Sequence, residues 1–180
     1  IQLSSKSFLE IKETETPHCS IKDIIKYSEG LSIFTGSLDG IIGKLFFKNL
    51  NKEAVDLIKL LKETFQENLY LELQRHNDTG EEALENFLLK NSKKLNLPLI
   101  ATQEVFYLDK DMYEAHDAFL CVGEKTYVNE KNRKKYSNEH YFKNSSEMYE
   151  IFSDFPEALE NNRNFPYTCS YRPLPSSPIL

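Results

Sequence analysis

Hydrophobic and polar positions repeat along this chain with two different periods, and the switches between them mark out strands and helices. Leu31 to Thr35 (LSIFT) is a β-branched and aromatic run, the signature of a buried strand. Gly36-Ser37-Leu38-Asp39-Gly40 turns the chain, and Ile41 to Phe47 reads as a helix. Asn51 is placed to cap the next helix, whose apolar stripe is Ala54, Leu57, Ile58, Leu61 and Phe65. Leu69 to Leu73 (LYLEL) alternates as a strand does. Glu81 to Leu95 returns to the helical period, with Leu84, Phe87, Leu88 and Leu95 on one side. Pro98 to Thr102 is a third strand, and Met112 to Val122 is the helix behind it. Strands that alternate with helices in this way form βαβ units and a parallel sheet, either a barrel or a doubly wound sheet.

The flanks are less periodic. Ile1 to Ile11 predicts a short helix, Glu13 to Cys19 a loop, and Ser20 to Tyr27 a helix with a capping box from Ser20 to Asp23 that Glu29-Gly30 ends. After Gly123 the chain turns polar from Glu124 to Asn144. Ser145 is placed to cap a helix from Ser146 to about Phe152, and Pro156 to open another that runs to about Asn162. Pro166 to Pro178 carries four prolines and predicts extended chain rather than helix.

Composition narrows the class. The 180 residues suffice for one domain with a core, and 28% charged with 40% hydrophobic residues is an ordinary globular balance. A net charge of -6 argues against a simple nucleic-acid binder. No apolar run approaches the roughly 20 residues of a membrane span, and the N-terminus lacks a signal-peptide pattern. Cys19, Cys121 and Cys169 are widely spaced and form no CxxC pair, which fits a reducing compartment and gives a cysteine zinc site no support. A first residue that is not Met and a proline-rich ending read as a piece of a longer protein.

Several places offer chemistry, each beside a plainer reading. The 36–40 loop stands between strand and helix, where a helix N-terminus can hold an anion. It lacks the GxGxxG and GxxxxGK[ST] spacings and reads first as a tight turn that needs glycine. Glu72 points opposite to Leu71 and Leu73; inside a barrel it needs a partner or a metal, and outside it meets a helix end or solvent. His76, in the polar stretch Gln74 to Asp78, offers a metal an imidazole or simply sits in a solvated loop. Alternation puts Glu104 and Phe106 on one face at the C-terminal end of the third strand, where a barrel places its chemistry. A hydrolytic metal site there wants an acid and an imidazole, and Phe106 has no lone pair. His116, next to Asp117, reads as a partly buried, hydrogen-bonded histidine. Lys131 to Lys135 offers cations to phosphates, with Tyr136 for stacking, or is a solvated loop. The histidines at 18, 76, 116 and 140 form no HxH or HExxH.

The segments ENLYLELQRH (Glu67 to His76), LPLIATQEVFYLDKDMYEAHDAFLCV (Leu97 to Val122), YFKNSSEMYEIFSDFPEAL (Tyr141 to Leu159) and CSYRPLPSSPIL (Cys169 to Leu180) are specific in order and spacing. Over essentially the whole chain they resemble the family of bacterial replicative DNA polymerase III alpha subunits, at their polymerase-and-histidinol-phosphatase (PHP) domain. The resemblance implies a partial distorted (β/α)7 barrel of parallel strands alternating with helices, then short helices and a proline-rich tail. Residues 1–123 would be the C-terminal part of a PHP domain without its first strands, which exposes strand edges. Residues 124–180 would be the connection toward the polymerase body.

Metal-binding members carry a cysteine where this chain has Ser37, and an Asp-x-His where it has Glu104-Val105-Phe106. The resemblance therefore implies a degenerate metal site, with no catalytic, cofactor-binding or metal-ligating residue in this segment. Its expected role is a non-catalytic scaffold that stabilises the polymerase and docks a proofreading exonuclease subunit. The alternative is an active metal-dependent phosphoesterase, a 3′–5′ exonuclease using Glu104, His76 and histidines outside this chain. The parent would be a cytoplasmic DNA-directed DNA polymerase, a nucleotidyltransferase of DNA replication. Its magnesium belongs to a domain not represented here. Its partners are the rest of the polymerase chain, other replicase subunits and DNA, with no membrane.

Overall fold

A parallel three-stranded sheet in the order β1 (Ile33–Phe34), β2 (Leu69–Leu73) and β3 (Leu99–Ala101) centres the computed structural model, which describes residues 1–12, 14–172 and 174. The helices are α1 (Gln2–Leu9), α2 (Ile21–Lys26), α3 (Ile41–Phe47), α4 (Asn51–Phe65), α5 (Glu81–Leu95), α6 (Tyr113–Glu124), α7 (Ser145–Ile151) and α8 (Pro156–Thr168). The alternation read from the sequence is thus a mixed α/β fold on a parallel sheet. No helix among the described residues is long and apolar enough to cross a membrane.

β2 shows how pattern becomes packing. Leu69, Leu71 and Leu73 are fully buried on one face, in a core shared with Ala54, Ile58 and Leu61 of α4 and with Leu84 and Leu88 of α5. Each such leucine contributes roughly 1.5–3 kcal/mol by leaving water. Tyr70 and Glu72 alternate to the other face, where Tyr70 meets Phe34 of β1 and Phe165 of α8 edge to face.

The bounds of β2 and α5 are those the periodicity predicts, and several ends differ. β1 keeps two of the five expected residues, although the Thr35 N–H still donates to the Tyr70 carbonyl. Asn51 is the first residue of α4 and not its cap: Asn49 turns back at φ 58 and the Leu50 N–H donates to the Leu45 carbonyl, so the helix begins early. Asn144, not Ser145, caps α7, in a capping box with Glu147. The largest correction is α8, which continues through Pro166 to Thr168 where extended chain was expected. Phe165 explains it, because its ring packs at 4.8 Å from Phe34 and 5.8 Å from Tyr70, and tertiary contact overrides the proline. Of the expected extended tail, Pro173 and residues 175–180 lie outside the described residues.

α8 also changes the expectation of bare strand edges. Carbonyls alternate along β3, and the Pro98 carbonyl accepts from Leu71 on the β2 side. Those of Leu99 and Ala101 therefore face away from β2. Asn161 and Asn162 donate side-chain amides to them, each at 2.7 Å. This edge is covered by α8.

Arg75 bolts the C-terminal helices to the end of β2. Its guanidinium pairs with Glu85 of α5 and Asp154, donates to the Ile151 carbonyl at 2.6 Å, and lies over the rings of Phe152 and Phe155. Glu85 first, and Asp154 second, raise the Arg75 pKa, and Arg75 in turn lowers that of Asp154.

Candidate functional site

The chain leaves all three strands toward one cleft of about 260 Å³, as strands of a parallel sheet do at their C-terminal ends. The 36–40 loop forms one wall; Glu72, Gln74, His76 and Asp78 come from β2 and the turn after it, and Glu81 from α5. Glu104 and Tyr136 close the cleft. Asp39, Glu72, Asp78, Glu81 and Glu104 give the lining five carboxylates, with no lysine or arginine among its residues.

Glycine is required where the loop closes. Gly36 takes φ 72, and a Cβ on Gly40 would stand 2.6 Å from the Thr35 carbonyl oxygen. The tight-turn reading of this loop is the one the geometry matches. The Gly36 N–H donates to Glu72 at 2.9 Å; Thr102 and Gln74 also donate to that carboxylate, and the Glu72 N–H donates to Thr35 Oγ1. Glu72 is therefore half-buried and fully partnered inside the cleft, rather than meeting a helix end or solvent.

His76 and His140, 64 positions apart in sequence, stack face to face with ring centroids 4.1 Å apart and planes within 4°. Both are buried to 1% exposure. His76 Nδ1 lies 3.0 Å from Glu81, and its Nε2 accepts the Glu104 N–H at 3.1 Å. That contact fixes the tautomer, with the proton on Nδ1. His140 Nδ1 faces the Glu104 carbonyl at 3.1 Å, and Nε2 faces Asp78 at 2.9 Å. The backbone of Glu104 is thus held at both its N–H and its carbonyl, while its side chain stays 47% exposed.

His76, Asp78 and His140 bring potential metal-ligand atoms within 4.8 Å of one another. As arranged they do not fit one ion. An imidazole lone pair lies in its ring plane, and two parallel planes stacked at this distance send their lone pairs along lines that do not meet about 2 Å away. The Nε2 lone pair of His76 is also already engaged by Glu104.

The other candidates fall into two groups. Ser37 and Glu104 both line the cleft, but Phe106 does not. β3 ends at Ala101, so the alternation expected to carry Glu104 and Phe106 onto one face has already stopped. Phe106 instead joins an aromatic stack with His116, Tyr136 and His140, at centroid distances of 5.4, 4.3 and 5.0 Å. His116 sits in that stack nearly parallel to Phe106, an aromatic contact where a hydrogen bond was expected.

The basic run is not a uniform solvated loop. Arg133 donates two hydrogen bonds of 2.6 Å to Asp117, with side chains only 4% and 9% exposed. Lys134 and Lys135 lie over the rings of Tyr136 and Tyr113. Arg133 holds the Asp117 carboxyl below its ordinary 3.8. A carboxylate lowered on folding stabilises the fold fully above its ordinary value and loses that contribution as pH falls through the folded one. Acidification below pH 3.8 should therefore loosen the 124–144 stretch, read by limited proteolysis with an acid protease. The Asp117→Asn variant should lose part of this acid dependence, and an unchanged profile would count against the assignment.

Sequence reasoning missed the pairing of His76 with His140 and of Asp117 with Arg133. His140 gave no local signal, since only the fold carries it back to the β2 turn. The pattern of Asp117 beside an apolar stripe was the one available hint of a buried acid in want of a cation.

Residues 1–76 match the family described as the PHP domain. The whole chain is 32% identical to the DNA polymerase III subunit alpha of Rickettsia prowazekii over 180 residues, which are 100% of this chain and 15% of that protein. It is 32% identical over 179 residues to that of Caulobacter vibrioides, covering 99% of this chain and 16% of the relative. To that of Borreliella burgdorferi it is 35% identical over 170 residues, 94% of this chain and 15% of the relative. The chain thus spans only about one sixth of the length of these relatives. On these matches the chain is similar over its whole length to one segment of DNA polymerase III alpha subunits, and residues 1–76 carry PHP-domain sequence.

Proposed function

We propose that this segment is a non-catalytic PHP scaffold within a cytoplasmic replicative DNA polymerase, stabilising the polymerase body and docking a proofreading exonuclease subunit. In this reading residues 1–123 are the C-terminal part of the PHP domain, and residues 124–180 the connection toward the polymerase body, folded back in part over the cleft. The observation that carries it is the fate of the family's metal positions. Phe106, outside the lining of the cleft, is spent on ring contacts with His116, Tyr136 and His140, and Ser37 offers a hydroxyl where a thiolate ligand would stand. The neighbouring groups support it too, because Glu72, His76 and His140 spend their hydrogen-bonding capacity on the protein itself. Primer extension then belongs to other parts of the polymerase and is not expected of this segment alone.

The test is metal content. The full-length subunit, purified with zinc and manganese in the medium and desalted, should retain neither at the PHP site by elemental analysis. One equivalent retained there, and lost on Glu104→Ala, would sink the scaffold reading.

One observation favours a second reading, that of a metal-dependent phosphoesterase acting at DNA 3′ ends. Five carboxylates around one cleft is the donor class that magnesium or manganese selects. Hydrolysis of a phosphodiester by the full-length protein, abolished by Glu104→Ala, would support it.

A further inference from the structure

We infer that the stacked His76–His140 pair is an ion-independent latch, which fastens the 137–143 stretch across the ends of β2 and β3. This deepens the scaffold reading and rests on it for the absence of a resident ion.

Three separate stretches of chain meet at the pair, and each is tied to the other two. His76 is joined to Glu81 through Nδ1 and to the Glu104 N–H through Nε2. His140 is joined to the Glu104 carbonyl and to Asp78. Ser137 donates to the His76 carbonyl, which ties the third stretch back to the first. The contacts continue on both sides of the rings. The Phe106 N–H donates to the His140 carbonyl at 2.9 Å, and the Phe142 N–H to that of Tyr107 at 3.0 Å. Gln103 brackets Lys143, accepting its N–H at 2.9 Å and donating to its carbonyl at 3.0 Å. Tyr107 and Tyr141 pair as a parallel bridge.

The position of the latch gives it a consequence for the cleft. Glu104 is the residue whose backbone N–H and carbonyl the two histidines grip, so the place of its backbone in the cleft wall is set by a histidine sandwich rather than by an ion. A structural metal would join the same three stretches by drawing lone pairs to one point. Here every ring nitrogen ends on a protein group instead, and ring-on-ring contact supplies the remaining area. The pair is a positioning device.

The experiment uses trypsin, because Lys131, Arg133, Lys134 and Lys135 stand just before the latched stretch. In the full-length subunit, His140→Gln should speed cleavage at these residues by about tenfold or more, since it removes bonds that oppose local opening. Asp78→Asn keeps in place a side-chain amide that can accept from a protonated His140 Nε2 or donate to an unprotonated one, and should stay within about twofold of wild type. The wild type should be cut at the same rate in EDTA, in zinc and in manganese. If EDTA raises its rate to that of His140→Gln, or zinc protects it but not the variant, an ion makes the junction and the inference is overturned. Wild-type behaviour of His140→Gln would overturn it as well. The ion comparison needs no variant and decides the matter even if His140→Gln folds poorly. Phosphodiester hydrolysis, measured in parallel, separates the two proposals: activity with an EDTA-insensitive latch would end the scaffold reading alone.

Discussion

Replacing Phe152 with alanine should destabilise the fold by about 3–5 kcal/mol, the range of aromatic deletions from a packed core. Phe152 is 1% exposed, just beyond α7, within the same cluster as Leu73 and Leu88. Its ring carries the Arg75 guanidinium at 4.9 Å. Truncation leaves a cavity and also removes one wall of the slot in which Arg75 meets Glu85 and Asp154. Arg75 directly precedes His76, so the loss reaches the β2 turn. Urea denaturation followed by circular dichroism measures it. A loss below about 1 kcal/mol would mean that this corner collapses freely and that Arg75 is not a rigid bolt.

Gly43→Ala should have the second large effect, through the cleft wall rather than the core. A Cβ at Gly43 would stand 2.4 Å from the Ser37 carbonyl oxygen and 2.6 Å from that of Leu38. Both are backbone atoms, so the 36–40 loop or the start of α3 must shift. Overpacking of this kind costs about 1–3 kcal/mol. Amide resonances of Ser37, Leu38 and Asp39 should move far more than those of β3. Unperturbed loop resonances would show that α3 yields instead, and would remove the claim that this glycine sets the wall.

What the sequence made legible is what periodicity encodes. LYLEL alternates because one face of β2 meets the α4 and α5 helices, and its limits could be read directly. Glu81 to Leu95 was equally plain, from its stripe and its acidic first turn. The ends of elements depended on partners that no local pattern reveals. Pro166 looked like a helix stop until Phe165 was found against Phe34 and Tyr70. Asn144 outcompeted Ser145 as a cap because Glu147 stands three residues after it and closes the box.

The candidate site was legible in its parts and illegible in its assembly. Ser37, Glu72, His76 and Glu104 were each singled out, and all four line one cleft. His140 was only one of four scattered histidines, and Arg133 one of several cations in a polar run. Their roles depend on contacts 64 and 16 positions away, made by a segment with no periodicity of its own.

The two α8 asparagines that bond to β3 give the sheet a direction of growth. With the outward carbonyls of Leu99 and Ala101 already taken, a stray strand finds no acceptors there, and β3 is a poor template for self-association. A strand from elsewhere in a longer polypeptide, or from another molecule, is left with β1 as its point of entry. Assembly of this sheet is in that sense one-ended, like a zipper whose lower stop is sewn in before the slider moves.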